Sequence, residues 1–400
     1  MSWEKTTVGE IVTTRKGYAF KSSKYVNKGV PVVRVSDYTM DSISDADLKY
    51  YPYDEKQNYI DYELHEKDVI VQTVGSWQNN PASVVGKVVR VPYFLEGALL
   101  NQNAVKIMPA EGIDNNFLFY RLKTEEFKGH VLGEARGAAN QASITLDTIK
   151  SFGFLIPDCL TQKKIGNILS KYDELIENNR KQIKLLEETA QRLYKEWFVD
   201  LRFPGYEDCK IVDGVPVEWK KKKLDEIADV IMGQSPKSEF YNKEHKGLPF
   251  HQGVGSYGAR FVQDDTYSTS FTKVAEANSI LFSVRAPVGR LNITKNKIVI
   301  GRGIAAINSK SGFQSYLFYA LKERFFKDDI LGNGAIFASI SKNELLNQVF
   351  VIPDEKIMSA YEKIAAALDK KIEVVDMQLQ QLVEARDRLL PKLMNGEIEV

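Results

Sequence analysis

Four hundred residues with 44% hydrophobic and 27% charged side chains allow two or three domains with real cores and exclude a disordered chain. No apolar run reaches the ~18 residues of a membrane span, and the N-terminus MSWEKTTVGE lacks the apolar core of a signal peptide, so a cytoplasmic protein is expected. A net charge of +1 neither favours nor excludes nucleic acid, and two cysteines, Cys159 and Cys209, give neither a disulfide framework nor metal spacing.

Residues 1–157 alternate short β-branched runs with turns. Pro31-Val32-Val33-Arg34-Val35, residues 68–74 and residues 83–91 read as strands bounded by Gly, Pro, Asn or Asp. Residues 116–123 begin a helix whose Phe117, Leu118, Phe119 and Leu122 face inward. The segment closes on Phe152-Gly153-Phe154-Leu155-Ile156, followed by Pro157-Asp158. The periodicity then changes. Ile165, Leu169, Tyr172, Ile176, Asn179, Ile183, Leu186, Ala190, Leu193 and Trp197 alternate steps of four and three, the repeat of a coiled-coil seam. Residues 201–217, with Pro204, Gly205, Gly214 and Pro216, read as a linker. The lysine run 220–223 is either a solvated first strand or helix face, or a phosphate-contacting patch.

The same order then recurs. Trp219 and Leu224-Asp225-Glu226-Ile227 echo Trp3 and Val8-Gly9-Glu10-Ile11. Residues 279–285 echo the strand at Val69, Leu317-Phe318-Tyr319 echoes Leu118-Phe119-Tyr120, and Leu331-Gly332 with Ala338-Ser339-Ile340 echoes Leu132-Gly133 with Ala142-Ser143-Ile144. Residues 349–354 repeat the close of the first half. A second seam follows at Tyr361, Ala365, Leu368, Ile372, Val375, Leu379, Leu382, Arg386, Leu389 and Leu393, each 196 residues after its counterpart. Offsets between partners drift from 216 to 196, so the scaffold repeats while the loops diverge, as suits one fold presenting two binding surfaces.

The expected architecture is α+β, with an internal pseudo-twofold repeat. Two similar mixed α/β domains, 1–157 and 218–353, are separated by helical regions 158–200 and 354–400, with the linker at 201–217. The first helix is about 50–57 Å long at 1.5 Å per residue. The second domain follows its far end, so the second helix runs back along it. An antiparallel coiled coil with one domain at each end is the simplest outcome; a parallel pair would need the linker nearly fully extended. Asn179 and Arg386 interrupt the two seams, where polar residues commonly fix register and partner number at some cost in stability.

At these residues the chain resembles the specificity (S) subunit of type I restriction-modification enzymes. IGNILSKYDELIENNRKQIKLLEETAQRLYKEWFVDLRFPG is similar to that family's central helical region, and LLPKLMNGEIEV to its C-terminal one. VGSWQNNPASVVGKVVRVP, LNQNAVKI, LFSVRAPVGRLNI and IGRGIAAI resemble segments of its target-recognition domains. The resemblance covers essentially the whole chain. It implies a DNA-reading subunit that does no chemistry itself. Each recognition domain would read one half of a bipartite double-stranded site, and the helices would set the spacer and dock two methyltransferase (M) subunits. Restriction (R) subunits would join through that complex. S-adenosylmethionine, ATP and Mg are expected on those partners and no cofactor on this chain.

The residues themselves offer no catalytic alternative of comparable strength. Asn79-Asn80-Pro81-Ala82 lacks the second proline and the aromatic of an amino-methyltransferase tetrad, Gly301-Arg302-Gly303 lacks a third glycine, and no ATP-binding loop occurs. Asp158 and Asp354 stand at helix starts, where Asp caps exposed N–H groups. The four histidines, His65, His130, His245 and His251, have no metal spacing. A stand-alone methyltransferase or nuclease is disfavoured on these grounds. A pure coiled-coil interaction scaffold stays open, to be separated by a DNA-binding assay.

Base edges are read by Arg, Asn, Gln and Ser/Thr on loops, with aromatics against methyls and sugars. The candidates in the first half are Arg34, Ser36 and Tyr38, then Ser76, Trp77, Gln78, Asn79 and Asn80 in a loop between two strands, then Arg136, Asn140 and Gln141. In the second half they are His251, Gln252, Ser256, Tyr257, Arg285, Arg290 and Arg302. The competing reading of each cluster is a loop whose polar groups bond its own backbone. Residues 140–141 are evenly balanced, because the second half carries Ile336-Phe337 there, and so is Arg285, which could pair with a buried acid.

Overall fold

A computed structural model describes residues 3–39, 42–77, 83–138, 141–325 and 339–400. The chain divides into two units, Met1–Asn178 with Gln378–Val400, and Asn179–Met377. The division runs through both long helices, so each unit owns a globular domain and a piece of each helix, a partition that the domain boundaries drawn from sequence do not anticipate.

In the first unit a four-stranded antiparallel sheet has the order Val12–Lys16, Ala104–Pro109, Val69–Gln72, Val88–Arg90. Beside it lie Lys49–Tyr51, Val30–Val33 and Leu99–Leu100, the last pair parallel. Val69, Ile70 and Val71 are all buried because the central strand is covered on both faces. Val69 and Val71 pack on the helix Asn115–Leu122, and Ile70 faces the smaller core of Val33, Val89 and Leu100. The second unit repeats the plan. Ala228–Met232, Ile304–Ser309, Ile280–Ser283 and Leu291–Ile293 form its four-stranded sheet, and Leu248–His251 runs parallel to Ile298–Ile300. The expected helix at 116–123 starts one residue earlier, capped by Asp114, whose Oδ1 accepts from Phe117 N at 2.8 Å.

One expectation fails for a local reason, and the linker carries local structure of its own. Residues 83–91 are not one strand: Gly86, at φ +81°, closes a turn, and only Val88–Arg90 pairs in the sheet. The linker 201–217 is folded. Ile211–Val212 pairs with Val215–Pro216, and buried Phe203 lies 5.1 Å from the ring of Trp219. The lysine run is a strand, Lys220–Lys223, paired with Val349–Ile352 through its backbone, with Lys220, Lys221 and Lys223 exposed and Lys222 half-buried.

The long helices span Cys159–Tyr194, with a π-turn Lys195–Val199, and Glu355–Met394. Both start as the sequence implies. Asp158 Oδ1 accepts from Leu160 N and Thr161 N at 3.0 and 3.1 Å, and Asp354 Oδ1 from Lys356 N and Ile357 N at 2.9 and 3.1 Å. The backbone and side-chain bonds from Thr161 hold the Asp158 carboxyl below its usual range. Every seam position is buried or half-buried. In the first unit Ile165 and Leu169, from the start of one helix, share a core with Leu393 and Leu389 from the end of the other. In the second unit Tyr194 and Trp197, from the end of the first helix, lie 6.1 and 5.8 Å from the ring of Tyr361 near the start of the second. Within each unit the two segments therefore run antiparallel. Arg386 occupies its seam position by pairing across it, Nη1 to Asp173 Oδ1 at 2.8 Å. Burial alone would lower the pKa of this guanidinium, but bonding to Asp173 and Asp387 outweighs burial and raises it. Among the described residues no helix is long and apolar enough to cross a membrane.

Candidate nucleic-acid interface

The four-stranded sheets of the two halves have the same strand order, and the register identifies equivalent residues. Val69 pairs with Ile107 and Arg90, as Ile280 pairs with Ile307 and Ile293. Val33 lies beside Leu100, as His251 lies beside Ile300. Following these registers to the strand ends brings three chain segments together in each half. In the first, Asn101 N donates to Val33 O at 3.0 Å and Thr73 N to Asn103 O at 2.9 Å. In the second, Gly301 N donates to His251 O at 2.8 Å and Val284 N to Gly303 O at 2.9 Å. The turns 101–103 and 301–303 thus sit between two strand ends in the same way, and Arg34, Gln102 and Val74 are the counterparts of Gln252, Arg302 and Arg285. Gln102, Gln252, Arg285 and Arg302 are exposed.

A glycine makes each junction possible. A Cβ on Gly17 would lie 2.0 Å from Asn101 O, and one on Gly233 would lie 2.2 Å from Gly301 O. Both glycines donate to the strand beyond the turn, Gly17 N to Ala104 O and Gly233 N to Ile304 O, at 3.0 and 2.9 Å. Because backbone meets backbone here, no side-chain rotation relieves the clash. Gly233→Ala is expected to cost on the order of 1–3 kcal/mol, visible as a lower midpoint in thermal or urea unfolding; an unchanged midpoint would show that the junction can move.

Two clusters distant in sequence meet in the first half. Val74–Gly75, Gln141–Ser143 and Arg136–Ala138 form a small sheet, with Ser143 opposite Val74. Trp77 is half-buried against the main core, and its Nε1 donates to Ala138 O at 2.9 Å. Trp77 therefore fastens one hairpin to the other and is not the exposed tip its neighbours suggest. Ser76 Oγ is 2.8 Å from Ser83 Oγ, also within the loop base. Arg136 and Gln141 are exposed. The same bridge recurs in the second half, where Ser339 lies opposite Arg285 and Ile340 N donates to Val284 O at 2.9 Å. Gln78, Asn79, Asn80 and Asn140, and residues 331–338 of the second-half motif, lie outside the described residues.

Several candidates turn inward. Tyr38 and Tyr257 each follow a 3-10 turn, Val35–Asp37 and Val254–Ser256, and both rings pack against apolar cores with buried hydroxyls that find no partner among the described residues. Burial raises both phenol pKa values, so they stay neutral. His251 is 1% exposed, with Nδ1 2.8 Å from Ser256 Oγ and Nε2 3.0 Å from Asp264 Oδ1; both ring nitrogens order the loop and present no edge outward. Arg34 is tied to its own turn, Nη2 to Asp37 Oδ1 at 2.6 Å and to Asp47 O at 2.7 Å, with Ser36 Oγ 3.3 Å from the same Asp37 oxygen. Arg285, Arg290 and Arg302 remain as exposed cations on the second half; Arg285 pairs through its backbone with Ser339, and among the described residues it has no buried acid as a partner. Sequence reading missed Gln102. Its signal is the alignment of LNQNAVKI with IGRGIAAI, in which Gln102 falls on Arg302.

A duplicated scaffold that presents polar and basic loops at the same strand ends of each half defines a recognition module with two separately varied surfaces. The family model for the type I restriction modification DNA specificity domain matches residues 1–188 and 216–385. The chain is 30% identical, over all of its length and 94% of the other, to the putative type I restriction enzyme MjaX specificity subunit of Methanocaldococcus jannaschii. It is 25% identical to the HindI specificity subunit of Haemophilus influenzae, over 75% of this chain and 80% of that one. The crystal structure of a type I restriction-modification S subunit from M. genitalium shares the fold, with a TM-score of 0.62 at 17% identity over 98% of this chain and 96% of that one. The chain belongs to the type I restriction-modification DNA specificity family: it is a DNA-recognition component, not a catalytic one.

Proposed function

We propose that each half reads one part of a bipartite double-stranded DNA site, that the paired helices set the unread spacer, and that the same helices dock two methyltransferase subunits. Restriction subunits join through that complex in the cytoplasm, and S-adenosylmethionine, ATP and Mg bind those partners. The observation that supports this reading is the repeated strand-end junction. Its backbone bonds are the same in both halves, yet its outward side chains differ, with Gln102 against Arg302 and Val74 against Arg285. One scaffold with two different polar surfaces fits a site with two different halves. Because both halves lie in one polypeptide, no second copy is needed.

Sedimentation of the reconstituted methyltransferase complex is expected to fit one copy of this chain to two of the methyltransferase. A stable assembly holding two copies of this chain would overturn the reading. With a net charge of +1 on this chain, much of the phosphate neutralisation is expected to come from the partner subunits. The DNA affinity of the isolated chain, measured by gel shift, is therefore expected to be strongly salt-dependent and weaker than that of the complex; equal affinity would overturn this.

A further inference from the structure

The halves share a second feature that DNA reading does not require. In the first unit, Asp173 on the long helix accepts from Tyr120 OH at 2.6 Å and from Arg90 Nη2 at 3.1 Å. The Arg90 guanidinium lies 4.1 Å from the ring centre of Phe119. In the second unit, Asp369, 196 residues after Asp173, accepts from Tyr319 OH at 2.9 Å and from Arg260 Nη2, and the Arg260 guanidinium lies 3.8 Å from the ring of Phe318. The carboxylate, phenol and stacked ring are equivalent by sequence. The arginines are not. Arg90 lies at the end of the strand Val88–Arg90, opposite Val69; the residue in that register of the second half is Ile293, opposite Ile280. Arg260 comes from an earlier loop that lays itself on Ile293, with Ile293 N donating to Arg260 O at 3.0 Å. Two different chain paths thus deliver a guanidinium to one place. Inheritance from a duplicated ancestor explains the aspartates and tyrosines; it does not explain the convergence of the arginines.

We infer that Arg90 and Arg260 are positioning residues that lock each recognition domain at a fixed angle on the helix segment it packs against. Apolar packing alone permits small slides and rotations. A guanidinium flat on an aromatic ring and hydrogen-bonded to a carboxylate on the helix fixes direction as well as distance. Arg260 is 3% exposed, and its Nη1 stands 3.8 Å from Glu187, a second acid, on the first long helix, whereas Asp369 is on the second. In the first unit the second partner of the carboxylate is instead Arg386. Each lock therefore ties a recognition domain to the helical pair with three charged groups, arranged differently in the two halves.

The inference rests on the proposed reading only for its consequence, since a fixed angle matters if the helices set the distance between half-sites. The direct test needs no DNA. Spin labels at Tyr53→Cys, on the first recognition domain, and Lys171→Cys, on the helix, with Cys159 and Cys209 replaced by Ser, report the angle in the full chain. The parent is expected to give one narrow distance, and Arg90→Met to lose it while unfolding stays cooperative. Arg90→Lys keeps the charge without the planar fork and is expected to fall between; it decides the matter if Arg90→Met does not fold. An unchanged narrow distance in the folded variant overturns the inference. In the assembled methyltransferase, Arg90→Met is then expected to lose discrimination between the natural spacer and spacers one base pair longer or shorter, with base preference kept. If the parent complex itself ignores spacer length, the ruler reading fails while the distance measurement still decides the lock.

Discussion

Replacing Gln102 by Ala is expected to relax base preference in one half of the methylated site and leave the other half as selective as before; Arg302→Ala is expected to do the reverse. The two side chains stand at equivalent points of the two strand-end junctions, on turns held by the same backbone bonds. Both are exposed, so truncation removes no core contact. A Gln is suited to the N6 and N7 edge of adenine and an Arg to O6 and N7 of guanine, each good bidentate contact carrying about 1–3 kcal/mol of discrimination, or roughly 5–150-fold. The measurement is methylation of a library of sites randomised in both halves, read by sequencing. Relaxation of both halves by either substitution, or of neither, would remove these turns from the reading surface. Unfolding midpoints are expected to stay within about 0.5 kcal/mol of the parent, as for surface changes generally.

Much of the scaffold was legible because it is periodic. The seam residues, the helix caps at Asp158 and Asp354 and the repeat itself follow from spacing, and spacing reflects geometry that tertiary context does not override. The loops were less legible. Trp77 looks exposed beside polar neighbours, yet its indole N–H finds Ala138 O on a hairpin 61 residues away. Tyr38 and Tyr257 carry hydroxyls that suggest a surface, but a 3-10 turn rotates each ring inward. Arg34 finds its acid three residues along at Asp37, the self-bonded loop that competes with DNA reading. Gln102 was hidden for the opposite reason: Asn101-Gln102-Asn103 reads as an ordinary polar turn between apolar strands until the fold places Thr73 and Val33 beside it. The arginine locks were beyond reach, because Arg90 and Arg260 share no sequence register and meet their aspartates only through topology.

Removing one heptad from each long helix, residues 176–182 and 372–378, is expected to change which spacer the assembled enzyme accepts. Either deletion keeps its seam in phase, since seven residues return the apolar stripe to the same face. Asp173, Asp369 and Arg386 lie outside the deleted segments, so both arginine locks keep their acids. Among the features lost with the heptads are Asn179 from the first seam and the ion pairs Lys295–Asp376 and Lys370–Glu373. The rod would shorten by about 10 Å at 1.5 Å per residue, the length of about three base pairs. It would also turn the required phase between half-sites by about 100°, because B-DNA completes a turn in about 10.5 base pairs. Methylation of the natural site should therefore fall sharply, and a site with the same halves and a spacer two or three base pairs shorter should recover part of it. Co-sedimentation with the methyltransferase subunit has to be measured in parallel, because the same helices form its proposed dock. A shortened chain that still binds that subunit and still methylates the natural spacing would mean that the distance between half-sites is set elsewhere than in these helices.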